Sequence, residues 1–216
     1  MAKLSSYNKK RNFDETREPK GDAVGKKGAA QQLRFVVQRH HASRLHYDFR
    51  LEFQGVLKSW AVPKGPSMYP KDKRLAMEVE DHPIDYVSFE GVIPKGNYGA
   101  GVVHIFDTGS YDFVEAKNEG EFLKQWKKGS IKINLHGHIL KGEFALVRMK
   151  SDQENAWLLI KHQDKYAVNG AYDIEKLMTE EVKQAGKDFK QGRPVKAPTA
   201  SPRKPMLAKL VDKLPS

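Results

Sequence analysis

The chain has 216 residues, with 38 Lys+Arg against 27 Asp+Glu for a formal net charge of +11, and no cysteine. A disulfide framework and a thiolate metal site are therefore excluded, and no apolar run approaches the ~18 residues of a membrane-spanning helix. The excess charge is terminal: residues 1–34 hold 9 basic and 4 acidic side chains, residues 183–216 hold 9 and 2, and residues 35–182 hold 20 and 21.

Residues 1–30 read as a basic arm and loop, ending in Gly25-Lys26-Lys27-Gly28-Ala29-Ala30. Residues 34–38 and 45–53 read as strands. In the second, Leu45-His46-Tyr47-Asp48-Phe49-Arg50-Leu51-Glu52-Phe53, polar and apolar residues alternate without a break, the pattern of a strand with one face in a core. His40, His46, Asp48 and Arg50 are all even-numbered, so an unbroken strand would line them up on one side, whereas a helix would scatter them. Two imidazoles and a carboxylate suit manganese, iron or zinc, and an arginine beside them suits a phosphate or carboxylate. A solvent-facing strand of ordinary polar residues would give the same pattern.

Gln54-Gly55 turns into a strand over 56–62, and Pro63-Lys64-Gly65-Pro66 is loop, from which a lysine can swing onto a phosphate. Residues 74–82 alternate again, which would place Arg74, Glu78, Glu80 and His82 on one face until Asp81-His82-Pro83 breaks the run. If both strands line one cavity, it holds a metal, a cationic clamp and a free histidine, a set suited to phosphate-ester hydrolysis. The glycine-rich stretch 91–101 reads as a barrel turn, because it lacks the strand-before and helix-after context of a nucleotide-cradling loop. A strand over 102–107 follows, with Thr108-Gly109-Ser110 turning into Tyr111-Asp112-Phe113. Glu119 to Lys128 reads as a helix with Phe122, Leu123 and Trp126 on one face and a stop at Gly129. Strands follow over 130–135, 142–149 and 157–161, then a helix from Ile174 to Gln184. His136 and His138 read as polar turn residues, and His41, His104 and His162 stay outside any ligand set.

Several ordered motifs carry a family resemblance. The run from Arg34 to Glu52 closely resembles the 3′-phosphoesterase domain of bacterial DNA ligase D. So do Leu57 to Pro66, Arg74-Leu75-Ala76, Glu80-Asp81-His82-Pro83, Tyr86, Phe89-Glu90-Gly91 and Ile93 to Gly101. Tyr7, Lys10-Arg11, Phe13, Thr16 and Glu18-Pro19 resemble the family's opening arm, so the resemblance covers most of residues 5–170.

The resemblance implies a mainly β fold, a compact closed β-barrel with short peripheral helices. It implies a manganese-preferring enzyme of end joining that removes a 3′-terminal ribonucleoside and then the 3′ phosphate, leaving a 3′ hydroxyl. By position, His40, His46 and Asp48 would be the metal ligands. Arg50 and His82 would contact the scissile phosphate, with His82 the proton donor or transition-state stabiliser. Arg74, Lys64 and Tyr86 would complete the anion pocket, Glu80 would orient its neighbours, and Arg11 and Glu18 would act from the arm. Asn12 departs from the family, which often carries an acid there, and this bears on the balance of the two activities. The implied partners are DNA 3′ ends, primer–templates with 3′ ribonucleotides, ligase and polymerase domains, and a Ku-like end-binding protein.

The expected division is an arm over 1–30, a phosphoesterase barrel over 31–172, and a helix with a basic linker-like tail over 173–216. Basic ends beside a neutral centre suit phosphate-backbone contact, although lysine-rich tails are equally often just solvated. Pro202-Arg203-Lys204-Pro205-Met206-Leu207-Ala208 resembles the opening segment of the ligase domain of the same multidomain protein, yet no Lys-x-Asp-Gly nucleotidyl-transfer motif occurs. The N-terminal residues carry charge rather than an apolar signal segment, so the expected setting is cytoplasmic, and the resemblance implies a prokaryotic, nucleoid-associated one. Two other readings stay open. One is a non-haem iron oxygenase using His46, Asp48 and His82. The other is a non-catalytic module that holds DNA ends or docks a ligase.

Overall fold

In the computed structural model, which describes residues 4–21 and 32–195, every alternating segment becomes a strand. These are β1 (Leu33–His41), β2 (Leu45–Phe53), β3 (Val56–Val62), β4 (Lys73–His82), β5 (Gly91–Ile93), β6 (Gly101–Phe113), β7 (Ser130–His136), β8 (Lys141–Arg148) and β9 (Ala156–Lys161). Three helices accompany them: α1 (Ser5–Lys9), α2 (Glu119–Lys128) and α3 (Glu180–Lys190). The strands pair antiparallel in the order β1-β2-β3-β4-β9-β8-β7-β6, and β6 pairs back onto β1 to close an eight-stranded barrel, with β5 added beside β6. The expected closed β-barrel with short helices is the fold. The ligase-like segment 202–208 lies outside the described residues.

The odd-numbered residues of β2 (Tyr47, Phe49, Leu51 and Phe53) point into the barrel, where they meet Trp60, Ile133, Phe144 and Trp157. α2 caps this core with Phe122 and Trp126, starting on the Asn118 side chain and stopping at left-handed Gly129, φ 78°. The even-numbered face of β2 is therefore the outer one, but it is not left to water. The arm and a 3-10 turn (Ile84–Ser88) lie over it, building a second apolar cluster from Leu4, Tyr7, Leu57, Tyr86, Phe89 and Val103. This double burial positions the site: polar residues on the barrel's outer face are enclosed between the sheet and its cover.

Four expectations need correction. His40 and His46 do not share one unbroken strand, since the chain reverses between β1 and β2. They share a face because they are directly paired across the hairpin. β4 does not keep one polar face either. Ser59 pairs with Val79 but Leu57 pairs with His82, so three residues of β4 advance against two of β3. That bulge switches the faces. Glu78, before it, points inward to accept from Trp157 Nε1, while Glu80 and His82 turn outward to the arm.

Thr108-Gly109-Ser110 is not a turn but the middle of the 13-residue β6. Gly109 is there for a close backbone approach: a Cβ on it would lie 2.2 Å from the His136 carbonyl. Finally, the expected helix from Ile174 to Gln184 is two elements. A 3-10 turn (Ile174–Leu177) ends at extended Met178, and α3 restarts when the Thr179 side chain caps Val182 and runs to Lys190.

Candidate metal centre

The β1–β2 register sets His40 opposite His46 and Gln38 opposite Asp48. Asp48 Oδ2 lies 3.4 Å from His40 Nδ1, and its Oδ1 lies 3.5 Å from His46 Nε2. One ligand atom from each residue falls within 4.8 Å of the others, the one such trio of metal-ligating side chains found among the described residues. The far nitrogens are held by backbone carbonyls, His40 Nε2 at 2.9 Å from Gly99 O and His46 Nδ1 at 3.0 Å from Arg44 O. A carbonyl can only accept, so those nitrogens carry the protons, and the lone pairs of His40 Nδ1 and His46 Nε2 face Asp48. Burial would raise the Asp48 carboxyl, but the Arg50 guanidinium beside it holds it well below the usual carboxylate range. Two imidazole lone pairs and a buried anionic carboxylate fit a divalent transition metal.

Arg50 is clamped beside this trio. Its Nη2 donates to Asp48 Oδ2 at 3.0 Å, its Nε to Gln38 Oε1 at 2.8 Å and its Nη1 to Ser59 Oγ at 2.8 Å. The guanidinium sits 4.7 Å over the Tyr86 ring. Gln38 in turn donates to the carbonyls of Tyr86 and Phe89, tying the cover to the barrel. Sequence reasoning missed both Gln38 and Ser59. Gln38 had a signal, its even position with His40 on β1. Ser59 emerges only from the pairing of Arg50 with Ser59 across β2 and β3.

His82 faces the same enclosed space from beyond the bulge. Its Nδ1 donates to the Glu80 carbonyl at 2.8 Å, and its Nε2 accepts from Arg11 Nη2 at 3.2 Å. Burial first, and then the charges of Arg50 and Arg11, push its pKa well below 6.5, so the ring is neutral. Arg11 reaches it from the turn after α1, lying 3.7 Å over the Tyr7 ring and donating to Glu18 at 2.9 Å and to Glu80 at 3.3 Å. Glu18 also accepts from the Tyr86 hydroxyl at 2.9 Å and from Thr16. The structure therefore brings Arg11, Glu18, Arg50, Glu80, His82 and Tyr86 into one network next to His40, His46 and Asp48. Asn12 turns away from it, its side chain accepting from the Asp14 backbone N–H.

Lys64 and Arg74 stand elsewhere. Together with Leu45, Tyr47, Tyr172 and Glu175 they line a cavity of about 360 Å³ at the His46 end of β2. Arg74 donates to Asp72 and to the Tyr172 carbonyl, each at 2.7 Å. Glu175 bridges to Arg39 at 2.8 and 2.9 Å and accepts from the Tyr47 hydroxyl. The anion pocket expected from Lys64, Arg74 and Tyr86 together is thus divided between two places.

The histidines set aside as non-ligands occupy ordinary positions. His41 packs on Gly186 of α3, His104 is buried, His136 pairs with Asp112 on the surface at 2.6 Å, and His162 lies 3.5 Å from Glu143.

Comparison with known proteins agrees with this arrangement. Residues 38–148 match the family model of the DNA ligase D 3′-phosphoesterase domain. A multifunctional non-homologous end joining protein LigD from Pseudomonas aeruginosa is 47% identical over 162 residues, 74% of this chain and 19% of that protein. The corresponding DNA repair protein of Mycobacterium tuberculosis is 41% identical over 162 residues, 75% of this chain and 20% of its own length. That of Mycolicibacterium smegmatis is 42% identical over 163 residues, covering 75% and 21%. The chain spans about a fifth of the length of these relatives. With the family match running from Gln38 through the metal trio and His82 to the end of β8, the chain belongs to the DNA ligase D 3′-phosphoesterase domain family.

Proposed function

We propose that the chain is a metal-dependent phosphoesterase that heals DNA 3′ ends, removing a terminal ribonucleoside and then the 3′ phosphate to leave a hydroxyl for ligation in non-homologous end joining. The observation that carries this reading is the sharing of Asp48. One carboxylate faces two imidazole lone pairs and also anchors an arginine, with a second arginine and a free histidine beside it. His40 Nδ1, His46 Nε2 and an Asp48 oxygen would hold the ion, manganese by family resemblance, which supplies Lewis acidity at a phosphoryl oxygen and an activated water.

The protein's own groups divide the remaining work. Arg50 spends three of its five N–H donors on Gln38, Ser59 and Asp48, leaving two for a phosphate oxygen. Glu18 and Glu80 hold Arg11 over the pocket, and Tyr86 fixes the other side of Arg50. His82 starts neutral with its Nε2 lone pair on Arg11. It becomes a proton donor to the leaving oxygen only after phosphate charge offsets the two guanidiniums and lets it take a proton. Lys64 and Arg74, in the adjoining cavity, act on a more distant part of the substrate. DNA ends are the partner this chemistry requires. Ligase and polymerase domains, a Ku-like protein and a cytoplasmic, nucleoid-associated setting belong to the same proposal, and no helix among the described residues is long and apolar enough to cross a membrane.

The iron-oxygenase reading needs His46, Asp48 and His82 around one ion. His82 instead directs Nε2 at Arg11 and lies outside the metal-ligating trio. A binding module has no use for a neutral histidine buried between two arginines. The Asp48→Ala variant tests the proposal on a primer–template with a 3′ phosphate. Lost turnover with DNA binding retained is the expected result, and undiminished turnover would remove the metal centre from the chemistry.

A further inference from the structure

We propose that Tyr98 is a stacking platform for the base of the nucleotide whose 3′ oxygen carries the scissile phosphate; this rests on the end-healing reading and names how the strand is gripped. Asp48, Arg50 and His82 are buried, so a polymeric substrate offers them only its terminal phosphate, and the attached nucleotide must lie at the rim. Tyr98 stands on that rim. It is 49% exposed, one of few large apolar side chains so open among the described residues.

Its loop is pinned from both sides of the pocket. The next residue, Gly99, gives its carbonyl to His40 Nε2 at 2.9 Å, and the preceding Asn97 donates to Glu15 of the arm at 3.0 Å. Lys10 Nζ donates to the Tyr98 hydroxyl at 3.4 Å and lies 4.7 Å from the ring centroid, while also bonding Glu80 at 3.1 Å. The Arg11 guanidinium is 5.6 Å from the same ring. A half-exposed aromatic face, held still beside two cations, fits a nucleobase and its phosphate. The ring takes any base through its π-face, and the cations take the backbone charge. No base edge need be read, so the platform accepts ends of any sequence.

The test is a double-mutant cycle in affinity. Fluorescence anisotropy gives Kd for two primer–templates with a 3′ phosphate, one with an intact terminal base and one abasic there, with metal withheld so that the end survives. Wild type should bind the intact duplex about tenfold more tightly than the abasic one. Tyr98→Ala should lose that advantage on the intact duplex and lose nothing further on the abasic one, and Tyr98→Phe should behave like wild type. Equal losses on both duplexes, or no loss at all, would overturn the platform. Failure of the end-healing reading looks different: the base-dependent coupling would persist while wild type with manganese left the 3′ phosphate intact.

Discussion

Asp48 answers to two demands at once, because the carboxylate that would hold a metal is also the counter-ion of a buried arginine. The same economy governs His82, whose one free lone pair is occupied by Arg11. Among the described residues His82 hydrogen-bonds Arg11 and the Glu80 carbonyl rather than His40, His46 or Asp48, so His82→Ala should fold and bind manganese with unchanged affinity while turnover falls by about 10²–10⁴-fold. Isothermal titration beside a 3′-phosphatase assay separates the two, and unchanged rates would take His82 out of the mechanism. Two further buried histidines add to the acid sensitivity of the fold. His41 and His104 are buried and held at about 4, by burial first, then by the charge of Arg39, with Lys190 adding to it for His41. Both folded values lie below the ordinary 6.5, so the unfolded chain takes the protons first. Their stabilisation is complete above about pH 6.5 and is lost as pH falls toward about 4. Thermal melts at neutral pH and near pH 4 should show this drop, and His104→Gln should flatten part of it. An identical drop in that variant would exclude His104.

What could be read from the chain follows how local each cause is. The face shared by His46, Asp48 and Arg50 is a matter of alternation within one strand, and it was legible. The placement of His82 was not, because the bulge that turns it outward depends on how β4 pairs with β3. Alternation alone put Arg74 and Glu78 on its face, where the barrel does not have them. The split of the expected helix after Met178 was visible as Thr179 followed by two glutamates, an N-terminal signal read as helix interior. Gly109 looked like a turn for want of its crossing partner, the His136 carbonyl. At α3 the element itself makes a prediction. Gly186 lies against His41, and a Cβ there would fall 1.8 Å from the imidazole Nδ1. Alanine improves helix propensity by roughly 0.5–1 kcal/mol, but overpacking of this kind costs about 1–3 kcal/mol. Gly186→Ala should therefore lower stability or release α3 from its seat on His41, read by denaturant melts and amide exchange over residues 180–190. A stabilised variant would show that the contact yields freely.

On the scale of the molecule, a barrel with a complete interior carries its chemistry on the outside and closes over it with an arm. The interior cluster contains no residue of that arm, whereas the outer one includes Leu4 and Tyr7. Deleting residues 1–19 should leave a folded barrel with its metal trio intact, while removing Arg11 and Glu18 from His82 and Tyr86. Circular dichroism should change little and phosphatase turnover should fall by about 10²-fold or more. A truncated chain as active as the whole would make the arm a mere cover. Asn12 belongs to this scale as well, since it lies in the arm and its side chain accepts from Asp14 within its own turn. The measurement that decides the central claim uses a labelled primer–template ending in a single 3′ ribonucleotide, with manganese supplied and then chelated. Stepwise appearance of a 3′ phosphate and then a 3′ hydroxyl, both abolished by chelation, is the predicted result. An unprocessed end, with manganese bound at the trio, would contradict it.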